Sequence, residues 1–369
     1  MPRRRAGDHD GWTMRATDAA ARSRLDGLLR IGKSPGIQYL VVRPHDFVFE
    51  YADGWADIAG RRRMDPATTM MAYSMSKTVT AAAVLQLVEA RRVELDAPID
   101  SCLDRQPYGP DVTVRQLLSH TSGIPNPIPL RWVHSSDLHK SFDDEAALAS
   151  VLLKYPKLSS PPGTKYGYSN IGYWLLGRIV EQASGESFAS YVRAHVLEPL
   201  GIAPQELGYE IVDPSHHAKG YLEKWSLLNL CKRVFVATEL IGGYEDGWLR
   251  LNGHHVNGAA FGGLVGTARG FGKFLQDQLR PHSGLFTDNI RRQFYAPQCT
   301  KDAIPVQMTL GWNIGTARGA RCFYKEGGGG GFHSMMRIYE SRGVATVVMT
   351  NATNFDVSKL LDELDCRFV

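Results

Sequence analysis

A chain of 369 residues is too long for one small core, so one large domain or two closely joined ones is expected; 43% hydrophobic and 22% charged residues exclude wholesale disorder. The net charge of +4 is small for this length, and the densest basic runs, Arg3–Arg5 and Arg61–Arg63, are three residues each, which makes no nucleic-acid footprint. The first reads as a terminal tail and the second as a solvated hairpin turn. No apolar stretch approaches the roughly 20 residues that cross a bilayer, and the opening MPRRRAGDHDGW lacks an apolar h-region, so a cytoplasmic protein without a membrane partner is expected. Cys102, Cys231, Cys299, Cys322 and Cys366 form an odd set without CxxC spacing, which suits a reducing compartment. The 12 histidines include no HExxH, and no metal or cofactor is expected.

In chain order, Thr17 to Leu29 predicts an Ala/Arg/Leu-rich helix feeding, through a Gly32–Gly36 turn, two β-rich runs at Ile37 to Arg43 and Asp46 to Tyr51. The next helix, Ser74 to Ala90, is apolar nearly all round, which marks it as buried. From about Asp104 to Tyr244 the pattern is helical, with Thr113 to Leu118, Phe142 to Leu153, Asn170 to Ala183 and Phe188 to Leu197 separated by Pro/Gly/Ser-rich connections and few strand signals. β character returns at Gly311 to Thr316, Phe332 to Tyr339 and Val344 to Thr350, before a closing helix from about Val357. Strands early and late around a helical middle predict an α/β fold: an antiparallel sheet flanked by helices, built from both termini, with a mostly helical domain inserted. The expected boundaries are 1–103 with 245–369 for the α/β domain and 104–244 for the helical one, with the active site in the cleft between them.

The chemically informative stretch is Ala72-Tyr73-Ser74-Met75-Ser76-Lys77. Spacing i, i+3 at a helix start puts Ser74 and Lys77 on one face, one turn apart. Lys77 is the only charged residue between Asp65 and Glu89, so desolvation and the helix dipole both lower its pKa and let it accept a proton. The same dipole and the free N–H groups of the first turn favour an oxyanion formed when Ser74 attacks a carbonyl. In Pro161-Pro162-Gly163 through Tyr168-Ser169-Asn170, a rigid turn places a tyrosine just before a helix; near a cationic Lys77 its phenol would lose or relay a proton more easily than a free one. Asn170 could hold an acyl amide or carbonyl. In Lys325-Glu326 followed by Gly327–Gly331, missing side chains let a substrate lie against a strand edge, where the Gly328 N–H can be an oxyanion donor.

Together, Ser74-Met75-Ser76-Lys77, Tyr168-Ser169-Asn170 and Lys325-Glu326-Gly327 resemble the three motifs of the serine β-lactamase and penicillin-binding-protein superfamily, in its class C-like branch with the family VIII carboxylesterases and D-aminopeptidases. Leu117 to Gly123, Pro162-Gly163 and Gly311-Trp312 are similar to recurrent stretches of that branch. The resemblance implies a β-lactamase-like fold, Ser74 as nucleophile, Lys77 and Tyr168 as the proton-transfer pair, the N–H groups of Ser74 and Gly328 as oxyanion hole, and Asn170, Lys325, Glu326 and Gly327 around the substrate. Glu326 departs from the usual Thr of Lys-Thr-Gly. A carboxylate there would repel an anionic substrate, so neutral carboxylic esters are expected to be cleaved better than β-lactams. The expected partner is a small acyl substrate.

Gly27-Leu28-Leu29-Arg30-Ile31-Gly32-Lys33-Ser34 satisfies the P-loop pattern, but a helix precedes it and a strand follows, the reverse of what a P-loop needs. There is no G-x-S-x-G elbow for a Ser-His-Asp triad, and His120, in a helix-ending turn, reads as a structural hydrogen-bonder. A non-catalytic binding or scaffold relative is the contrasting expectation.

Overall fold

The computed structural model describes residues 16–127, 132–230 and 238–369; the Arg3–Arg5 run and Cys231 lie outside the described residues. Strand Gly36–Val42 is buried at every position, which suits only the interior of a sheet covered on both faces. It pairs antiparallel with Val344–Thr350 on one side and Phe47–Asp57 on the other, with Ile37 opposite Thr350 and Tyr39 opposite Tyr51. Across the seven-stranded sheet the order is Asn313–Ala317, Ala320–Gly329, Phe332–Tyr339, Val344–Thr350, Gly36–Val42, Phe47–Asp57 and Arg62–Arg63. Strands from the two ends of the chain lie side by side at its centre, as the sequence pattern predicts.

Because side chains alternate along a strand, the two faces take different partners. Tyr39, Val41 and Val348 meet Leu25 and Leu28 of helix Ala16–Arg30 and Leu360, Leu361 and Leu364 of helix Val357–Leu364. Leu40, Val42, Val347 and Met349 face Phe271, Phe274 and Leu275 of helix Ala268–Leu279. That second cluster continues through helix Ser76–Glu89 into Trp174 and Leu176 of helix Asn170–Ser184. Eleven residues of Ser76–Glu89 are buried, which its lack of a polar face requires.

Two elements differ from the sequence reading. Ala320–Gly329 is a strand, so most of the glycine run is sheet and only Gly330 and Gly331 turn the chain into Phe332–Tyr339. Gly220–Glu223, Trp248–Leu251 and Ile241–Glu245 form a three-stranded sheet that straddles the end, at 244, of the region expected to be helical. The P-loop-like run forms the last turn of helix Ala16–Arg30 and the approach to Gly36–Val42, so a helix and not a strand leads into it. Among the described residues no helix is long and apolar enough to cross a membrane.

Candidate active site

Ser74 sits in a single 3-10 turn, Tyr73–Met75, that runs directly into helix Ser76–Glu89. The turn is tied down by its neighbours: the Ser76 hydroxyl donates to the Tyr73 carbonyl (2.6 Å) and accepts from the Leu264 N–H (3.0 Å), while the Ala72 N–H donates to the Leu264 carbonyl (2.9 Å). One helical turn on, Lys77 is fully buried and its Nζ lies 3.0 Å from Ser74 Oγ, 2.8 Å from Asn170 Oδ1 and 2.6 Å from the Phe261 carbonyl. Tyr168 approaches from the other side, its phenolic oxygen 2.7 Å from Ser74 Oγ. An alcohol, an amine and a phenol from two distant stretches therefore share hydrogen bonds at one point, and Ser74 itself stays partly open to solvent.

Tyr168 is aimed by the turn around His120. Ser169 caps helix Asn170–Ser184 through the Gly172 N–H (3.0 Å), and its own N–H donates to His120 Nδ1 (3.2 Å). The Gly167 N–H donates to the His120 carbonyl and the Gly163 N–H to the Thr121 carbonyl, each at 2.8 Å. The His120 ring lies 4.4 Å from the Tyr168 ring, centroid to centroid. At Gly123, φ is +75° and an added Cβ would fall 2.1 Å from the Ser160 carbonyl oxygen, so the turn requires glycine. The Leu117 to Gly123 stretch thereby fixes the backbone on either side of the phenol.

The third motif lies on strand Ala320–Gly329, past the end of its pairing with Asn313–Ala317, where alternation sorts its residues. Lys325 and Gly327 are buried toward Ser74, and a Cβ on Gly327 would meet the Ala72 carbonyl oxygen at 2.1 Å and Ser74 N at 3.0 Å. Glu326 and Gly328 lie on the exposed side. Glu326 is therefore not brought to the Ser74 face; it takes His333 Nε2 at 2.7 Å on the other side of the strand. Gly329 pairs with Phe332 across the two-residue turn, so at the next pair, Gly328 with His333, the Gly328 N–H points away from the neighbouring strand and is free for a ligand.

Electrostatics separate the three groups. Burial, and next the charge of Lys325, hold the Lys77 ammonium well below the usual lysine range. Burial also lowers Lys325 to about 7, and its Nζ has no hydrogen-bond partner among the described residues. The Tyr168 phenol moves the other way. Burial raises it, outweighing its hydrogen bond to Ser74, so the expectation that Lys77 would ease its ionisation is corrected: desolvation of the phenolate dominates. His120 is driven well below its ordinary value by burial, then by Lys325 and Lys77. It is a neutral imidazole.

Asn170 is the first residue of helix Asn170–Ser184, and its side-chain oxygen accepts from Lys77. Trp132 packs against Trp174 and Phe261, and Trp312 against Phe294 and Tyr295. Two contributors escaped the sequence: the Phe261 carbonyl, because a backbone acceptor leaves no side-chain signature, and Tyr73, whose φ of +46° no motif reveals.

Comparison with known proteins places this architecture. The D-amino acid amidase from Ochrobactrum anthropi SV3, complexed with L-phenylalanine amide, superposes with a TM-score of 0.77 at 20% identity over 95% of this chain and 98% of that one, which defines the fold as β-lactamase-like. The sequence model described as Beta-lactamase matches residues 21–364, and the chain belongs to that family. Among curated relatives, Penicillin-binding protein 4* of Bacillus subtilis (strain 168) is 28% identical over 181 residues, covering 48% of this chain and 40% of that protein. A D-aminopeptidase of Cereibacter sphaeroides (strain KD131 / KCTC 12085) is 29% identical over 204 residues, covering 55% and 39%. The chain thus spans about two fifths of the length of these curated relatives.

Proposed function

We propose that this chain is a serine hydrolase that cleaves small neutral carboxylic esters through an acyl-enzyme on Ser74. The observation that carries the reading is the hydrogen-bond count at Lys77. Lys77 Nζ donates to Ser74 Oγ, Asn170 Oδ1 and the Phe261 carbonyl; once it gives up one proton, the neutral amine keeps its two hydrogens on Asn170 and Phe261, which can only accept, and turns its lone pair to Ser74. In that deprotonated form Ser74 can donate to Lys77 and accept from the Tyr168 O–H. The pKa directions favour this proton arrangement, with Lys77 as base and Tyr168 as neutral relay. As Ser74 Oγ bonds to the acyl carbon its proton passes to Lys77, and the carbonyl oxygen becomes an oxyanion facing the N–H groups of Ser74 and Gly328. On collapse the ester C–O bond breaks, and the leaving oxygen takes a proton through Tyr168 that Lys77 replaces. Water reverses the sequence to free the acid.

A neutral substrate is supported by Lys325: an amine about half uncharged near pH 7 is a weak anchor for a substrate carboxylate. Position 326 also supplies no hydroxyl, and its carboxylate is engaged by His333. The names of the relatives favour a second reading, a small amide of a D-amino acid. A fluorophosphonate probe should label the protein and fail to label Ser74→Ala. Across p-nitrophenyl butyrate, nitrocefin and D-amino amides, kcat/KM should be highest for the butyrate. Higher efficiency on nitrocefin would remove the ester preference, and absence of Ser74-dependent labelling would leave the scaffold alternative standing.

A further inference from the structure

Tyr73, which the proposed mechanism does not use, precedes Ser74 in an unusual conformation. Its φ of +46° is a left-handed backbone that bulky residues rarely adopt. The surroundings over-determine it. The phenol oxygen is 2.8 Å from the Gly330 carbonyl oxygen and 3.0 Å from His254 Nε2, and the side chain is 7% exposed. A Cβ on Gly329 would lie 2.4 Å from the Tyr73 ring, so the ring rests directly on the glycine backbone. His254 is itself fixed, with Nδ1 3.0 Å from the Asn252 carbonyl oxygen, and it packs beside Gly330. A donor at Nδ1 leaves Nε2 an acceptor, so the phenol's one proton is divided between His254 and Gly330.

These contacts bracket Gly328. On one side of it, Gly327 presses on the Ala72 carbonyl and the Ser74 N–H; on the other, Gly329 and Gly330 are held by the Tyr73 side chain. Since the Tyr73 backbone leads into the Ser74 N–H, one residue is joined to both proposed oxyanion donors. We infer that Tyr73, anchored by His254, is a positioning residue that sets the separation of the Ser74 and Gly328 N–H groups. The inference rests on the serine-hydrolase reading.

The test is the ratio of kcat/KM for an oxoester to that for the matching thionoester, whose sulfur accepts hydrogen bonds poorly. Such a ratio does not depend on the fraction of folded enzyme. Tyr73→Phe keeps the ring and removes the hydroxyl. It should lower kcat on the oxoester by roughly tenfold with KM within about twofold, and bring the ratio down at least about threefold. His254→Ala should act in the same direction, and His254→Gln, which restores an acceptor, should recover part of the loss. A ratio unchanged in Tyr73→Phe, with Ser74 still labelled by fluorophosphonate, would overturn the inference alone. No labelling of the unaltered chain would overturn the hydrolase reading, and this inference with it.

Discussion

At the scale of single residues, the site is governed by two lysines that share one small buried space without sharing a counter-ion. Lys77 has three acceptors around it, whereas Lys325 has none among the described residues, and the Lys325 charge opposes that of Lys77. Removing the Lys325 charge in Lys325→Met should raise the Lys77 pKa, so the acid limb of the kcat/KM profile on a neutral ester should move to higher pH. A limb that stays in place would argue against Lys77 as the base. The same substitution has a stability consequence. The fall of Lys325 from 10.5 to about 7 corresponds to roughly 5 kcal/mol of destabilisation when the group is charged in the fold. The folded state binds fewer protons than the unfolded one between those values, so stability rises with pH across that window. Lys325→Met should therefore raise Tm most below pH 7, with the gain shrinking toward pH 10.5; thermal melts at several pH values would show it.

At the scale of elements, close approach rather than propensity decides the decisive strand. A methyl group at Gly327 would collide with the Ala72 carbonyl, a backbone atom that cannot swing aside. Gly327→Ala should lower kcat on the ester by roughly 100-fold or more, because the Ser74 turn must shift; activity within a few-fold of normal would show that the strand gives way harmlessly. This is also where sequence legibility ends. Helix Asn170–Ser184 is readable because Ser169 caps it, Gly185 closes it in a left-handed conformation and its apolar residues fill one face. Helix Ser76–Glu89 is readable from its continuous apolar run, although Ser74 itself falls in a preceding 3-10 turn. Strand Ala320–Gly329 is hidden because glycine has no β preference; its pairing with Phe332–Tyr339 and its packing on the Ser74 turn make it a strand. Ile241–Glu245 is hidden for a related reason, since Gly242 and Gly243 interrupt the alternation. Motif spacing points to Ser74, Lys77 and Tyr168 as a group, but not to Glu326's partner, because a cross-strand contact depends on a register the sequence does not display.

At the scale of the whole molecule, one side chain ties the two ends of the chain together. Asn351 is fully buried; its Oδ1 accepts from the Gly36 N–H (2.8 Å), and its Nδ2 donates to the carbonyls of Trp55 (2.9 Å) and Lys219 (3.1 Å). Asn351→Ala would strand one donor and two acceptors in the interior, at a cost of about 3 kcal/mol or more. The expected readout is a lower denaturant midpoint with an unchanged slope; an unaffected midpoint would mean that water replaces the amide. The central pairing of Gly36–Val42 with Val344–Thr350 has a further consequence during synthesis. A ribosome delivers the first of these strands well before the second, so in between the nascent chain carries an apolar strand with one edge unmatched. In that interval the open edge is the segment a holdase chaperone would shield.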